Sequence, residues 1–244
     1  MKKFIVNIIN KYEKFYRRQM YKPGFLGIFI NPFYIARRKL YVRINDNKSL
    51  IKGNVLDYGC GTSPYKGLFS DTNYTGADIK TDNNSKENII QISNYKVEIT
   101  DNTFDSVICT EVLEHVPDVY EVFSEIKRVL KPNGILLLTT PFVWPVHAHP
   151  YDYRRFTLEG LIKEVEDCKY RIIKSEKTGN YPETIAQLKV FRLFLKFKTQ
   201  NIFWNSFLSC LLSPITIIGL LFGIMTRNKS LYINNFIIAI NDKK

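Results

Sequence analysis

Asp57-Tyr58-Gly59-Cys60-Gly61 closes the short apolar run Asn54 to Tyr58 with an Asp-x-Gly-x-Gly turn. The two glycines allow a tight turn and let backbone amides come close to a ligand. Asp78 ends the next apolar run, about 20 residues on, as in a nucleotide-binding βαβ unit. A carboxylate there can accept hydrogen bonds from both hydroxyls of a ribose. A dinucleotide fingerprint needs a third small residue, and Pro64 occupies that place, which makes a nicotinamide cofactor the poorer choice.

A second group of chemistry-bearing residues lies downstream. In Cys109-Thr110-Glu111-Val112-Leu113-Glu114-His115, a helix over 111–115 would put Glu111, Glu114 and His115 on one face. His149 opens His149-Pro150-Tyr151-Asp152-Tyr153-Arg154-Arg155-Phe156. Both segments follow strands and leave the carboxyl edge of the expected sheet, where open α/β folds bind ligands. Three readings stand side by side. His115 or His149, with Glu111, can act as general base on a hydroxyl acceptor. Glu111, Glu114, His115 and His149 can instead hold a divalent cation that lowers the acceptor's pKa. Or Glu114 and His115 only cap and orient the helix. Phe142, Trp144, Tyr151 and Tyr153 offer an aromatic acceptor pocket or ordinary loop packing. Arg154 and Arg155 suit an anionic acceptor or a solvated face.

The elements that must position these groups read as alternating strands and helices. Strands are expected at Asn54–Tyr58, Tyr74–Ile79, near Asn88–Ile92, and at Phe104–Cys109, Ile135–Thr139, Tyr170–Ser175 and Asn235–Ile240. Val119, Phe123, Ile126 and Leu130 mark one helix, and Thr157 can cap another carrying Leu158, Leu161, Ile162 and Val165. That alternation implies α/β architecture with a parallel sheet covered on both faces.

Four stretches together resemble class I S-adenosylmethionine-dependent methyltransferases. They are Val55 to Thr62, Gly76-Ala77-Asp78, Phe104-Asp105-Ser106-Val107 and Leu130-Lys131-Pro132-Asn133-Gly134. The nearest likeness is to the type 11 branch found among bacterial cell-surface polysaccharide genes, and it covers residues 53–178. It implies a doubly wound, Rossmann-like sheet of seven strands with the last antiparallel. It also implies S-adenosylmethionine as cofactor, with Asp57, Gly59 and Gly61 on the methionine side and Asp78 on the ribose. Tyr58, Cys60, Asn94 and Thr110 complete the cofactor set, Ser93-Asn94 standing where the family often has an Asp near the adenine. Glu-x-x-Glu-His is similar to the metal site of small-RNA 2′-O-methyltransferases and ubiquinone-type O-methyltransferases. The same string occurs in members with no established metal.

Charge and hydropathy add a third theme. Residues 1–50 hold 12 Lys or Arg against Glu13 and Asp46, +10 of the chain's net +12. Within this arm Ile8, Ile9, Tyr12, Phe15 and Tyr16 alternate with Lys11, Lys14, Arg17 and Arg18 as an amphipathic helix. A basic helix over 183–198 and the uncharged stretch Phe203–Ile224 form a hydrophobic insertion, about 181–230, before the last strand. Pro214 divides that stretch into two expected short helices. The domains expected are thus the arm, 1–50, and the methyltransferase domain, 51–244. Monotopic contact with a membrane is expected, as is a position at its cytoplasmic face, the alternative being an apolar cap on the core or a dimer contact. Phe4 to Ile9 is too short, and Asn7 too polar, for a signal peptide. Scattered Cys60, Cys109, Cys168 and Cys210 suit a reducing cytoplasm. The function implied is O-methylation of a small-molecule or lipid-linked acceptor, such as a glycan or a quinone. RNA methylation and a non-catalytic scaffold are the alternatives, and no appended nucleic-acid module supports the first.

Overall fold

Short unbroken apolar runs make strands buried on both faces, and apolar residues at three-and-four spacing make helices. The computed structural model describes residues 2–79, 89–226 and 228–243, with side chains from Val6 onward. The strands are β1 (Asn54–Tyr58), β2 (Asn73–Asp78), β3 (Ile90–Ser93), β4 (Lys96–Val97), β5 (Phe104–Thr110), β6 (Leu130–Pro141), β7 (Tyr170–Thr178) and β8 (Asn234–Asn241). The helices are α1 (Lys2–Tyr21), α2 (Gly27–Ile30), α3 (Tyr34–Asp46), α4 (Val119–Val129), α5 (Leu158–Asp167), α6 (Tyr181–Phe197) and α7 (Ile202–Met225).

The strands form one sheet in the order β4-β3-β2-β1-β5-β6-β8-β7. β1 lies parallel to β2 and β5, β5 parallel to β6, and β8 antiparallel to β6. This is the α/β sheet with a reversed last strand that the sequence predicts. It has eight strands rather than seven, because Asn94 and Tyr95 (φ 48° and 66°) turn the chain back into the two-residue β4. The expected start of the third strand at Asn88 lies outside the described residues. Val55, Leu56, Val107, Ile108, Leu136, Leu137, Leu138 and Phe236 to Ala239 are 0% exposed, so the central strands are a dry core. α4 starts on Asp118, whose side chain accepts from the amides of Tyr120 and Glu121, and it buries Val122, Phe123, Ile126 and Val129. α5 starts on Thr157, which accepts from Gly160 N.

The connection from β1 to β2 departs from a βαβ unit. After Gly61 the chain makes only a 3-10 turn, Lys66–Leu68. The glycine loop therefore has no helix N-terminus behind it, the feature a pyrophosphate needs.

Contacts divide the chain into two compact units. One joins Met1–Arg43 with Thr178–Ile233, and the other joins Ile44–Lys177 with Asn234–Lys244. The helical unit therefore combines the N-terminal arm with the hydrophobic insertion. Gln187 Nε2 donates to Pro32 O (2.9 Å), and its Oε1 accepts from Ala36 N (3.2 Å). Lys39 Nζ lies 2.7 Å from Glu183 Oε1, and Tyr12 stacks on Phe203 with centroids 4.9 Å apart. Pro214 does not split the apolar stretch: α7 is one helix of 24 residues. A proline deprives the carbonyl four residues back of its donor, here Cys210 O. The Ser213 hydroxyl donates to that same carbonyl at 2.8 Å, so the helix continues.

Candidate active site

The loop after β1 is held by its own backbone. Gly59 N and Cys60 N donate to Ala77 O at 2.8 and 3.0 Å. Gly61 N donates to Asp78 Oδ2 at 2.7 Å. Gly59 and Gly61 have φ of +73° and +53°, the left-handed region that favours glycine. The Gly59 position also lacks room, since a Cβ there would lie 2.5 Å from Val112 Cγ2. At Gly61 nothing stands within 4 Å, and only the backbone conformation asks for glycine.

A cavity of about 540 Å³ opens at the carboxyl ends of β1, β2 and β3 and takes in the segment after β5. That volume is in the range of small-molecule sites. Tyr58, Gly59, Asp78, Asn94, Glu111 and His115 line it, with Tyr151 and Tyr153. The expected cofactor residues thus separate into two groups. Tyr58, Gly59, Asp78 and Asn94 face the cavity, while Asp57, Cys60, Gly61 and Thr110 do not line it. Asp57 is buried, accepts a short hydrogen bond from the Tyr74 hydroxyl, and has its carboxyl pushed up to about 7 by burial. Its other oxygen, Oδ1, is buried with no hydrogen-bond partner. Cys60 is buried against Gly76, and burial raises its thiol to about 11, so it packs and does not react. Tyr58 OH donates to Tyr95 O at 2.7 Å, tying β1 to the turn that presents Asn94.

The acceptor side differs from expectation. Residues 111–115 are not one helix: Glu111 has φ +56°, and only Leu113–His115 form a 3-10 turn. Glu111 therefore leaves the face of Glu114 and His115. Its Oε1 accepts from Thr139 Oγ1 (2.9 Å) and its Oε2 from Asn234 Nδ2 (2.7 Å), while the residue still lines the cavity. Glu114 is 1% exposed, and neither carboxyl oxygen has a hydrogen-bond partner. Burial and then Glu111 push that carboxyl well above the usual range. His115 Nδ1 is 2.7 Å from Tyr151 O, an acceptor, so Nδ1 carries the proton and Nε2 the basic lone pair. Nε2 lies 3.7 Å from Glu114 Oε1.

The histidine that joins His115 is His147, not His149. The two rings meet edge to face with centroids 4.7 Å apart. His147 Nδ1 lies 3.3 Å from Asp152 Oδ2, and burial followed by His115 lowers its pKa, leaving the ring neutral near pH 7. Asp152 is fixed by Arg155, which donates to both carboxylate oxygens, and Arg155 also reaches Trp144 O and Pro145 O. Arg155 therefore builds the loop and is not a solvated cation, and Arg154 donates to Pro117 O at 2.6 Å. His149 is exposed and outside the cavity lining. The donor atoms of Glu114, His115 and His147 all lie within 4.8 Å of one another, a three-ligand set in place of the expected Glu111, Glu114, His115 and His149. Of the four aromatic residues expected at the acceptor, Tyr151 and Tyr153 line the cavity. The sequence signal for His147 was its place two residues before His149 in the same loop.

A methyltransferase domain family model matches residues 56–138, from within β1 to within β6. Over residues 56–138 the chain is thus similar to methyltransferase domains. A ubiquinone biosynthesis O-methyltransferase of Rickettsia bellii (strain OSU 85-389) is 32% identical over 156 residues, which cover 55% of this chain and 61% of that relative. The chain spans 57% to 61% of the length of such curated relatives. Phosphoethanolamine N-methyltransferase 2 of Haemonchus contortus, solved with S-adenosyl-L-methionine, superposes with a TM-score of 0.55 at 20% identity, covering 88% of this chain and 55% of that one. A SAM dependent methyltransferase of Archaeoglobus fulgidus gives 0.54 at 17% identity, covering 84% and 96%. At such identities the likeness is one of fold. Within the domain, the matched segment carries Gly59, Asp78, Glu114 and His115, while His147 lies beyond it.

Proposed function

We propose that this domain transfers a methyl group from S-adenosylmethionine to a hydroxyl of a quinone-like acceptor. The observation that carries the reading is one cavity shared by Gly59, Asp78 and Asn94 with His115, Tyr151 and Tyr153. S-adenosylmethionine supplies a methyl group already activated on a sulfonium, so the protein's work is binding, alignment and proton removal. Asp78 accepts from Gly61 N and lines the cavity, where a carboxylate can accept from ribose hydroxyls. Gly59 lets a ligand approach the backbone. Asn94 replaces a carboxylate with an amide that both donates and accepts toward the adenine. His115 Nε2 takes the acceptor's proton, its tautomer fixed by Tyr151 O. The relatives named as ubiquinone biosynthesis O-methyltransferases support oxygen and a quinone-like ring over a glycan.

A second reading is metal-assisted transfer, favoured by the buried, unpartnered Glu114 carboxyl beside His115 and His147. Three protein ligands would leave a cation open positions for the acceptor oxygen. Glu114 in that case is held ionised by the cation and not protonated by burial.

Calorimetry with S-adenosylmethionine and S-adenosylhomocysteine tests the common ground. Both should bind, and Asp78→Ala should weaken both, by about tenfold or more for a lost pair of hydroxyl contacts. No binding of either would overturn the proposal. Transfer of labelled methyl to substituted quinols and catechols then tests the acceptor. Activity that survives chelation with no bound Mg, Mn, Fe or Zn leaves His115 as base and removes the metal.

A further inference from the structure

The helical unit turns its longest helix inside out. On α7 the residues buried against the protein are, Leu208 apart, small or hydroxylated: Ser206, Ser209, Ser213, Thr216, Gly219 and Gly223. They recur at spacings of three and four along one side. The hydroxyls of Ser206 and Ser209 donate to Ile202 O and Asn205 O, both at 2.7 Å, so they cost no unpaired polar group. Gly219 lets Ala186 of α6 approach so closely that a Cβ on the glycine would lie 2.3 Å away. The opposite side carries Trp204, Phe207, Leu211, Ile218, Leu221 and Met225, exposed by 43% to 81%. A helix on a water-soluble domain has the reverse arrangement, bulky apolar residues inward and polar ones outward. Small residues at the packed face with bulky ones outward suit a helix whose outer solvent is hydrocarbon.

The surroundings say which kind of apolar phase. α6 adds exposed Leu193, Leu195 and Phe197, and it exposes Lys189, Arg192 and Lys196, followed by Lys198. α1, whose Tyr12 stacks on Phe203, exposes Lys11, Lys14, Arg17 and Arg18. At the turn between α6 and α7, Trp204 Nε1 donates to the backbone Phe197 O at 2.9 Å, so the exposed indole has its polar group paired. Aromatic residues of this kind belong at a membrane's headgroup level. α6 and α7 form a hairpin that leaves from and returns to the same sheet, so lying in one leaflet puts no strand on the wrong side of a bilayer.

We propose that the outer face of α7, with the aromatic turn at its start and the cations of α6 and α1, docks the protein on a bilayer containing anionic lipid. The bulky residues enter the acyl boundary, and the Lys and Arg side chains meet the phosphates. Docking is independent of the methyl-transfer reading.

Co-sedimentation of the full chain with phosphatidylcholine vesicles, with and without phosphatidylglycerol, tests it. The anionic vesicles should bind about tenfold or more tightly than the neutral ones, and high salt should remove that preference. The Leu211→Glu/Leu221→Glu double variant alters only exposed positions and should release the protein from both, with thermal unfolding unchanged. Lys189→Glu/Arg192→Glu/Lys196→Glu should abolish the anionic preference. Equal sedimentation of the wild type and the Leu211/Leu221 variant overturns the proposal. So does failure of the wild type to bind either vesicle, whether light scattering then finds a monomer or a dimer that the variant dissociates. Calorimetry with S-adenosylhomocysteine on the same samples reports the active site separately.

Discussion

At the residue scale the two carboxyls with raised pKa values answer different questions. Asp57 is buried with its carboxyl at about 7, against about 3.9 in an unfolded chain. Between those values the native state keeps a proton that the unfolded state has lost. Stability therefore falls as pH rises from about 4 to about 7 and is level beyond. Asp57→Asn keeps an oxygen for the Tyr74 hydroxyl and removes the titration. It should flatten that slope and gain on the order of 1–4 kcal/mol at pH 8, little at pH 4, by urea unfolding at the two pH values. The histidines give a sharper contrast. His115→Ala should lower kcat by about 10²–10⁴, as expected for a lost general base. His147→Ala should lower it less if His147 only abuts His115, and as much if both ligate a cation. His149→Ala should leave kcat and KM within about twofold, since the ring is exposed and off the cavity. The sequence made Asp78 legible because a carboxylate at a strand end has a defined direction. It could not separate His147 from His149, which differ by two residues in a loop whose direction is set by Asp152 and Arg155.

At the element scale the strands and helices were legible because their signals are local: apolar runs, the Thr157 cap, glycine turns. Two elements were not. The stretch Glu111 to His115 has helix-like spacing, but Glu111 is drawn into a left-handed conformation by Thr139 and Asn234, which are remote in sequence. Pro214 reads as a break, yet the hydroxyl next to it supplies the donor that proline lacks. That substitution of donors is testable. Pro214→Ala restores a backbone amide to Cys210 O and should stabilise α7, raising its melting temperature in circular dichroism. Ser213→Ala in the parent should cost about 0.5–1.5 kcal/mol of stability, the usual value of one hydrogen bond. In the Pro214→Ala background Ser213→Ala should cost less, because the carbonyl then has the amide. Equal costs in both backgrounds would mean that Ser213 does not replace the missing donor.

At the scale of the whole molecule, sequence order misleads about what belongs together. Composition places a boundary near residue 50, between a basic arm and a methyltransferase domain that contains the apolar insertion. The contacts instead unite residues of the arm with the insertion, because Gln187 on α6 bonds Pro32 and Ala36 and Glu183 pairs with Lys39 through one oxygen. No local pattern announces such partners, since each is an ordinary polar residue until the chain returns to it. The consequence is that residues 51–244, the piece sequence alone would choose, should be a poor minimal enzyme. Removing Lys39 leaves the Glu183 carboxylate, 3% exposed, without its cation, which destabilises the unit. Removing Tyr12, Pro32 and Ala36 strips Ser206, Phe203 and Gln187 of their partners in the same unit. Expression of 51–244 beside the full chain should give aggregated or protease-sensitive protein, with α6 and α7 cut first. Lys39→Met in the full chain isolates the charge from the rest of the deletion and should show part of that loss. Glu183→Gln added to Lys39→Met should recover some of it, because the orphaned charge is then gone. A 51–244 fragment as soluble and as protease-resistant as the full chain would show instead that the insertion packs without the arm.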